Sequence, residues 1–262
     1  MSRFPLANKQ FGQHFLHSKN VISKITGPLP AGSDCIIEVG PGPAVLTPTL
    51  KSYGLPLFVI EMDQRFVELL SPVVGEEFIF RQDALEFNWP HFLTNHSYEN
   101  IWLVSNLPYN VSVPLTLNFL VIRNIKSMTL MYQKEVAEKI HPKKIQNSMN
   151  SLHALCYSQF EIEHVVYAPP GAFVPPPKVE SQVLYFKRRN DPLVELKEIS
   201  LFESFLRITF AQKRKQLGGI LKNAYGGEKS TYMLSKAQVQ PNLRAESLNF
   251  NQILSLFKAS LI

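Results

Sequence analysis

The chain has 262 residues, with 27 Lys and Arg against 21 Asp and Glu (formal net charge +6), 45% hydrophobic residues and 11% aromatics. That length fits one large domain, or one with a small appendage, and the apolar content supports a packed core and excludes wholesale disorder. No apolar run approaches the roughly 18 residues that a membrane span needs, and Met1-Ser2-Arg3-Phe4-Pro5 lacks the apolar stretch of a secretory signal, so a cytoplasmic protein is expected.

In chain order, strands are expected at Cys35–Val39, Leu57–Ile60, Phe78–Arg81, Ile101–Ser105 and Met128–Tyr132, all short apolar runs. Helix-compatible stretches, among them Thr47–Lys51, Gln64–Leu70 and Pro114–Ile122, lie between them. This alternation predicts an α/β fold with right-handed βαβ units and a parallel sheet covered on both faces. Phe160–Tyr167 and Gln182–Lys187 then read as two strands with no helix between them, expected to pair antiparallel at one end of the sheet. The connecting Ala168–Pro177 is too proline-rich for regular structure, because proline lacks the N–H that helix and ladder use. Beyond Arg189-Asn190-Asp191-Pro192 the pattern becomes helical. Leu201, Phe202, Phe205, Leu206 and Thr209 share one face, and Ser230–Lys236 and Asn251–Leu261 continue the style. A domain boundary is therefore expected near residue 188.

Cys35 and Cys156 are far apart and outside any Cys-x-x-Cys or Cys/His cluster, so neither a disulfide scaffold nor a metal site is expected. The charge is unevenly spread. Residues 187–262 carry 13 basic and 6 acidic residues, which leaves 14 and 15 for residues 1–186. All of the basic excess lies in the C-terminal part, which points either to an anionic partner such as nucleic acid or to a solvated helical face.

Glu38-Val39-Gly40-Pro41-Gly42-Pro43-Ala44 runs from a strand into a glycine turn, where Gly40 and Gly42 permit close approach of a ligand. About 20 residues on, the next strand ends in Glu61, placed as a carboxylate that binds ribose hydroxyls. The turn lacks the lysine of a nucleotide-phosphate loop and the third glycine of the dinucleotide fingerprint. Pro41 and Pro43 also remove N–H donors that a pyrophosphate needs. A nucleoside cofactor without phosphates fits better, and S-adenosylmethionine is the common one. At the third strand end, Asp83 could accept from an adenine amine or cap the next helix.

The fourth strand ends in Asn106-Leu107-Pro108-Tyr109, which resembles the Asn/Asp-Pro-Pro-Tyr/Phe tetrapeptide of enzymes that methylate exocyclic amines. The adenine N6 lone pair is delocalised into the ring and is a poor nucleophile. Hydrogen bonds from N6 to the Asn106 oxygen and the Leu107 carbonyl allow the nitrogen to become pyramidal and aim its lone pair. Pro108 stiffens the loop and Tyr109 offers a stacking face.

On these residues the chain resembles the ribosomal RNA adenine dimethyltransferase family, and within it the bacterial KsgA-type enzymes of small-subunit (16S) rRNA. The likeness includes Lys9–Leu16, the glycine turn, Glu61, Asp83, Asn106–Asn110 and Gln133–Glu138. It continues through Phe173–Val179, Phe210–Lys215 and Arg244-Ala245-Glu246. The resemblance implies a class I, Rossmann-like methyltransferase domain over residues 1–188 and a small all-helical, RNA-binding domain over 189–262. It implies S-adenosylmethionine contacts at His14, Leu16, Gly40, Gly42, Glu61, Asp83 and Asn106, with Phe173 a second aromatic wall opposite Tyr109. It further implies two methyl transfers to each of two adjacent adenosines in the 3′-terminal hairpin, on 30S or pre-30S particles, by a monomer. Lys178, Lys187, Arg188, Arg189, Lys213, Arg214 and Lys215 are the expected RNA contacts, by charge to phosphate.

Some positions depart from the family pattern. His14 stands where Asn is usual, and Pro43-Ala44 replaces a Leu/Gly-containing turn. Ser148–Leu152 only partly matches a Tyr/Phe-Gly-x-Leu segment, and Gly218-Gly219 stands where Arg-Asn is common. Two other readings remain open on the same fold: a large-subunit rRNA adenine methyltransferase of the antibiotic-resistance type, and a ribosome-assembly factor without activity. A DNA adenine methyltransferase is disfavoured, because this length leaves no sizeable sequence-reading domain.

Overall fold

The computed structural model describes residues 13–144 and 147–262. The strands in chain order are β1 (Phe15–Leu16), β2 (Cys35–Val39), β3 (Leu57–Ile60), β4 (Ile79–Phe80), β5 (Ile101–Asn106), β6 (Ile125–Gln133), β7 (Phe160–Ala168), β8 (Phe173–Val174) and β9 (Ser181–Arg188). Helices of the same region are α1 (Lys19–Ile25), α2 (Thr47–Lys51), α3 (Gln64–Val74), α4 (Trp89–Asn95), α5 (Ser112–Leu120), α6 (Lys134–Ile140) and α7 (Ser151–Gln159).

Seven strands form one sheet in the order β4-β3-β2-β5-β6-β9-β7. β2 through β6 are parallel, and β9 inserts antiparallel to β6 with Ser181 opposite Gln133 and Lys187 opposite Ser127. Every residue of β2 and β3 is buried, as expected of strands covered by helices on both faces. Helix α3 shows how local sequence sets an element. Asp63 caps it by accepting from Arg65 N, Phe66, Val67, Leu70 and Val74 form its buried stripe, and Gly75 ends it at φ 93°.

β9 and β7 are neighbours at the end of the sheet. The stretch between them holds more order than its prolines suggest. Pro170–Ala172 makes a 3-10 turn, and β8 pairs antiparallel with β1, placing Leu16 opposite Phe173. The third expected strand shrinks to two residues because Glu76–Phe78 turns as a 3-10 helix before it.

The described residues divide into two compact units, one of residues 13–137 and 161–188, the other of residues 138–144, 147–160 and 189–262. The segment 138–160, placed by sequence in the first domain, thus packs with the helical one. Its α7 lies against α8 (Ile199–Phe210), with Asn150 capping α7 through His153 N. Within this second unit α9 (Leu217–Tyr225), α10 (Gly227–Ala237) and α11 (Phe250–Ser260) complete the bundle. Phe202 and Phe205 of α8 pack on Phe257 of α11 with ring centroids 4.9 and 5.7 Å apart. Helix α9 escapes the sequence pattern because Gly218-Gly219 opens it. Gly218 is there for packing, since a Cβ at that position would sit 2.7 Å from the Pro241 side chain.

Candidate active site

The carboxyl ends of β2, β3 and β5 and the turn after β4 converge on one cavity of about 1130 Å³, counted to its open mouth. Ligands of open α/β sheets bind at this edge. His14, Leu16, Gly40, Gly42, Glu61, Asp83 and Asn106–Tyr109 all line it, so the structure brings together residues spread over nearly a hundred positions.

The glycine turn is built for close approach. Gly40 and Gly42 have φ of 63° and 54°, a left-handed conformation that side chains resist. Gly40 N donates to Ile60 O at 2.9 Å, joining the ends of β2 and β3. Glu61 then fixes the turn: Oε2 accepts from Gly42 N at 2.9 Å and Oε1 from Asp63 N at 2.8 Å. A carboxylate has about four acceptor positions, and the Met62 backbone N–H is also directed at it, so one remains for a ligand hydroxyl. Burial pushes the Glu61 carboxyl upward, against these N–H donors, which pull it down.

Asp83 Oδ1 accepts from Leu85 N at 2.9 Å, so this residue turns the chain and lines the cavity as well. Asn106 Nδ2 donates to the His14 carbonyl at 3.4 Å; because a carbonyl only accepts, the amide nitrogen must face it. That leaves Oδ1 as an acceptor without a partner among the described residues. The Pro108 carbonyl is taken by Val111 N at 3.1 Å, whereas the Leu107 carbonyl accepts no hydrogen bond among the described residues. Ser105 Oγ donates to Val39 O and ties the ends of β5 and β2 together. The Tyr109 hydroxyl shares a 2.7 Å hydrogen bond with Ser181 Oγ of β9, and burial raises its pKa, so the phenol stays neutral.

Sequence reasoning missed several lining residues. Glu38, only 1% exposed, stands on the cavity wall with Oε2 unpartnered, and burial with the nearby Glu61 charge pushes it up to about 8. Asp63 is held down at about 2, chiefly by Arg65, with Gln13 Nε2 donating to it at 2.9 Å. Met62, 52% exposed beside Glu61, supplies apolar wall. Its place directly after Glu61 was the only signal that the sequence offered.

Three expected site residues are corrected. Phe173 does not line the cavity: it is 2% exposed and packs in the core with Phe15, Leu16 and Ala172, because β8 pairing on β1 turns it inward. Arg188 is no phosphate contact. Its guanidinium donates to the carbonyls of Leu120 at the C-terminus of α5 at 3.1 Å, of Ile122 in the turn that follows at 2.9 Å and of Ile125 at the start of β6 at 2.7 Å, and burial lowers its pKa to about 10. Arg189 donates to Tyr157 O at 3.0 Å and lies over the Tyr157 ring at 4.6 Å, so it too is committed to structure.

Lys187 is exposed, but it sits at the Ser127 end of β9, six residues from Ser181. At about 3.3 Å per residue that is roughly 20 Å from the cavity edge. Lys178 is exposed in the loop before β9, and Lys213, Arg214 and Lys215 are all exposed in the turn between α8 and α9.

Among the described residues no group of three or more His, Cys, Asp or Glu is placed to hold a metal ion, and no helix is long and apolar enough to cross a membrane. Both cysteines are buried, with their thiols pushed up by burial.

The sheet order, the glycine turn after the first central strand and the acidic end of the second define a class I, Rossmann-like methyltransferase fold with a helical C-terminal part. The solved structures agree. The chain is similar to the 23S rRNA methyltransferase ErmE (TM-score 0.71, 24% identity, 94% of this chain and 98% of that one). It is also similar to a dimethyladenosine transferase from Plasmodium falciparum (TM-score 0.72, 22% identity, 93% and 96%).

The family model for ribosomal RNA adenine dimethylase matches residues 5–260, and the chain belongs to that family. Similar curated proteins include ribosomal RNA small subunit methyltransferase A of Caldanaerobacter subterraneus subsp. tengcongensis, 34% identical over 97% of both chains. The protein of the same name from Pseudomonas aeruginosa is 34% identical over 95% of this chain and 93% of its own.

Proposed function

We propose that this protein transfers methyl groups from S-adenosylmethionine to N6 of two adjacent adenosines in the 3′-terminal hairpin of small-subunit rRNA, dimethylating each. The observation that carries the reading is the Asn106–Tyr109 corner. One carboxamide is oriented by His14 so that its oxygen is left as acceptor, the Leu107 carbonyl is unclaimed, and a hydrogen-bonded tyrosine ring lies beside both.

The cavity suits the cofactor. The left-handed glycine turn lets the backbone lie close to a ligand, and Glu61 keeps an acceptor position for a ribose hydroxyl. Asp83 and Met62 supply a polar edge and an apolar wall for the cofactor's adenine. When bound, the cofactor supplies an electrophilic methyl on a positively charged sulfur. The chain's own part is to place the amine. In the first transfer Asn106 Oδ1 and the Leu107 carbonyl accept the two N6 hydrogens, and in the second one of them accepts the hydrogen that remains, which withdraws the lone pair from the ring and points it into the cavity. Tyr109 holds the base by stacking, and a base drawn out of its helix is required because the site is recessed. No strong base is needed: each transfer leaves a positively charged, strongly acidic N6, which gives up one proton to water at the open mouth of the cavity. The relatives' names support the small subunit as substrate, and the exposed Lys213–Lys215 turn fits phosphate.

The test is methyl transfer from tritiated cofactor to small subunits that lack dimethyladenosine, followed by nucleoside analysis. N6,N6-dimethyladenosine is expected, with loss of at least a hundredfold in Asn106→Ala while cofactor affinity falls far less. Label on large-subunit RNA instead refutes the substrate assignment, and tight subunit binding without any label refutes the activity.

A further inference from the structure

Tyr109 is anchored at both ends. Its carbonyl accepts from Ser112 Oγ at 3.1 Å. Thr116 Oγ1 in turn donates to Ser112 O at 2.7 Å and accepts from the Tyr132 hydroxyl of β6 at 2.8 Å. At the other end, the Tyr109 hydroxyl shares its 2.7 Å hydrogen bond with Oγ of Ser181, the first residue of β9. Resting on the adenine N6 reading above, we propose that Ser181 is a positioning residue for methyl transfer. By holding the Tyr109 hydroxyl it sets the tilt of the ring on which the target adenine stacks, and the second transfer depends on that tilt more than the first.

A phenylalanine at position 109 presents a stacking face as well, so the hydroxyl adds something other than the face. The outer torsion of an aromatic side chain lies in a broad well, and packing alone defines the ring tilt loosely. A hydrogen bond at the far end of the ring removes that freedom. Ser181 is suited to supply it. It is fully buried, it stands outside the cavity lining, and Tyr109 is the one hydrogen-bond partner of its hydroxyl among the described residues. The start of β9 is itself clamped to the end of β6. Ser181 pairs with Gln133, and the adjoining Lys134 donates its backbone N–H to Glu180 O at 2.9 Å and its ammonium to the Glu180 carboxylate. Both anchors of Tyr109 thus end on neighbouring strands of the sheet.

The two transfers differ in what else orients the base. In the first, both N6 hydrogens are held, by Asn106 Oδ1 and the Leu107 carbonyl. In the second, one hydrogen remains, and the methyl group already on N6 must be turned away from the donor. A single directional contact leaves the base free to swing about it, so the stacking plane carries the rest of the orientation. One hydrogen bond is worth roughly two- to tenfold, and a phenol left without its partner in a half-buried setting adds to the loss. The expected effect on the second transfer is therefore about tenfold.

Full-length Ser181→Ala, Tyr109→Phe and the double variant test this in single-turnover methyl transfer to small subunits lacking dimethyladenosine. The two methylated nucleosides are separated, and cofactor affinity is measured by calorimetry. Each single variant is expected to form N6,N6-dimethyladenosine about tenfold more slowly and to accumulate N6-methyladenosine, with cofactor Kd unchanged. The double variant is expected to lose about tenfold as well, and not the roughly hundredfold of independent sites, because both changes break the same bond. An unchanged rate in Ser181→Ala, additive losses in the double variant, or a fall in both transfers without accumulation of N6-methyladenosine makes Ser181 a packing residue and overturns the proposal. If the unaltered enzyme transfers no methyl group to these subunits, the adenine reading itself fails and the positioning role falls with it.

Discussion

Glu38 offers a direct test of the electrostatics on which the cavity depends. Its carboxyl is fully buried, one oxygen has no partner, and the Glu61 carboxyl lies nearby. Burial, with a smaller contribution from Glu61 and an opposing one from Thr47, moves it from an ordinary 4.5 to about 8. The folded protein therefore holds a proton that the unfolded chain has already released. This stabilisation is complete below pH 4.5 and is lost as pH rises toward 8. The slope between those values is about 1.4 kcal/mol per pH unit. From pH 5.5 to 7.5 the parent should thus lose roughly 2–3 kcal/mol that a Glu38→Gln variant, of the same shape and without the charge, does not lose. Urea unfolding of cofactor-free protein at pH 5.5, 6.5 and 7.5 measures the gap. The two stability profiles are expected to diverge in favour of the variant as pH rises. Parallel profiles would show that Glu38 ionises freely in the folded state and would refute the reasoning.

Two further outcomes separate structural cations from the proposed RNA contacts. Arg188→Met should cost about 3 kcal/mol in chemical unfolding, because the carbonyls of Leu120, Ile122 and Ile125 lose charged donors in a buried setting, and it should leave the salt dependence of RNA binding unaltered. Stability within 0.5 kcal/mol of the parent, a limit typical of surface changes, would contradict the role given to Arg188. Reversing Lys213, Arg214 and Lys215 to Glu should weaken RNA binding and flatten the log–log salt slope by about 2–3. An unchanged slope in filter binding removes that turn from the interface.

The parts of the fold that were legible in the sequence are those where one force dominates. Cys35–Val39 and Leu57–Ile60 are apolar throughout because helices cover both faces, and they appear at the expected bounds. Glu61, Asp83 and Asn106 were legible because each follows a strand, and strand ends share an edge in a parallel sheet. What escaped depended on partners distant in sequence. Phe173 reads equally well as a wall or as core; the choice is made by pairing of β8 with β1, 157 residues away in the register Leu16 to Phe173. Arg188 and Arg189 look like a basic cluster, and only the fold shows that one ends α5 and the other covers Tyr157. The segment 138–160 has no composition shift to mark its place in the helical unit.

The same burial that lifts Glu38 and Glu61 also bears on turnover in the proposed reaction. Both carboxyls face a cavity that penalises their charge, while Asp63 remains ionised because Arg65 and Gln13 compensate it. A cationic ligand relieves that penalty, and by linkage it is bound more tightly the more the carboxylates are ionised. S-adenosylmethionine brings a sulfonium, and its demethylated product does not. Loss of the methyl group therefore removes the positive charge that these carboxyls favour, at the moment when product must leave and a fresh cofactor must enter for the second transfer. In the proposed reaction the two carboxyls therefore favour the charged cofactor over its product to the extent that they are ionised, without any moving part.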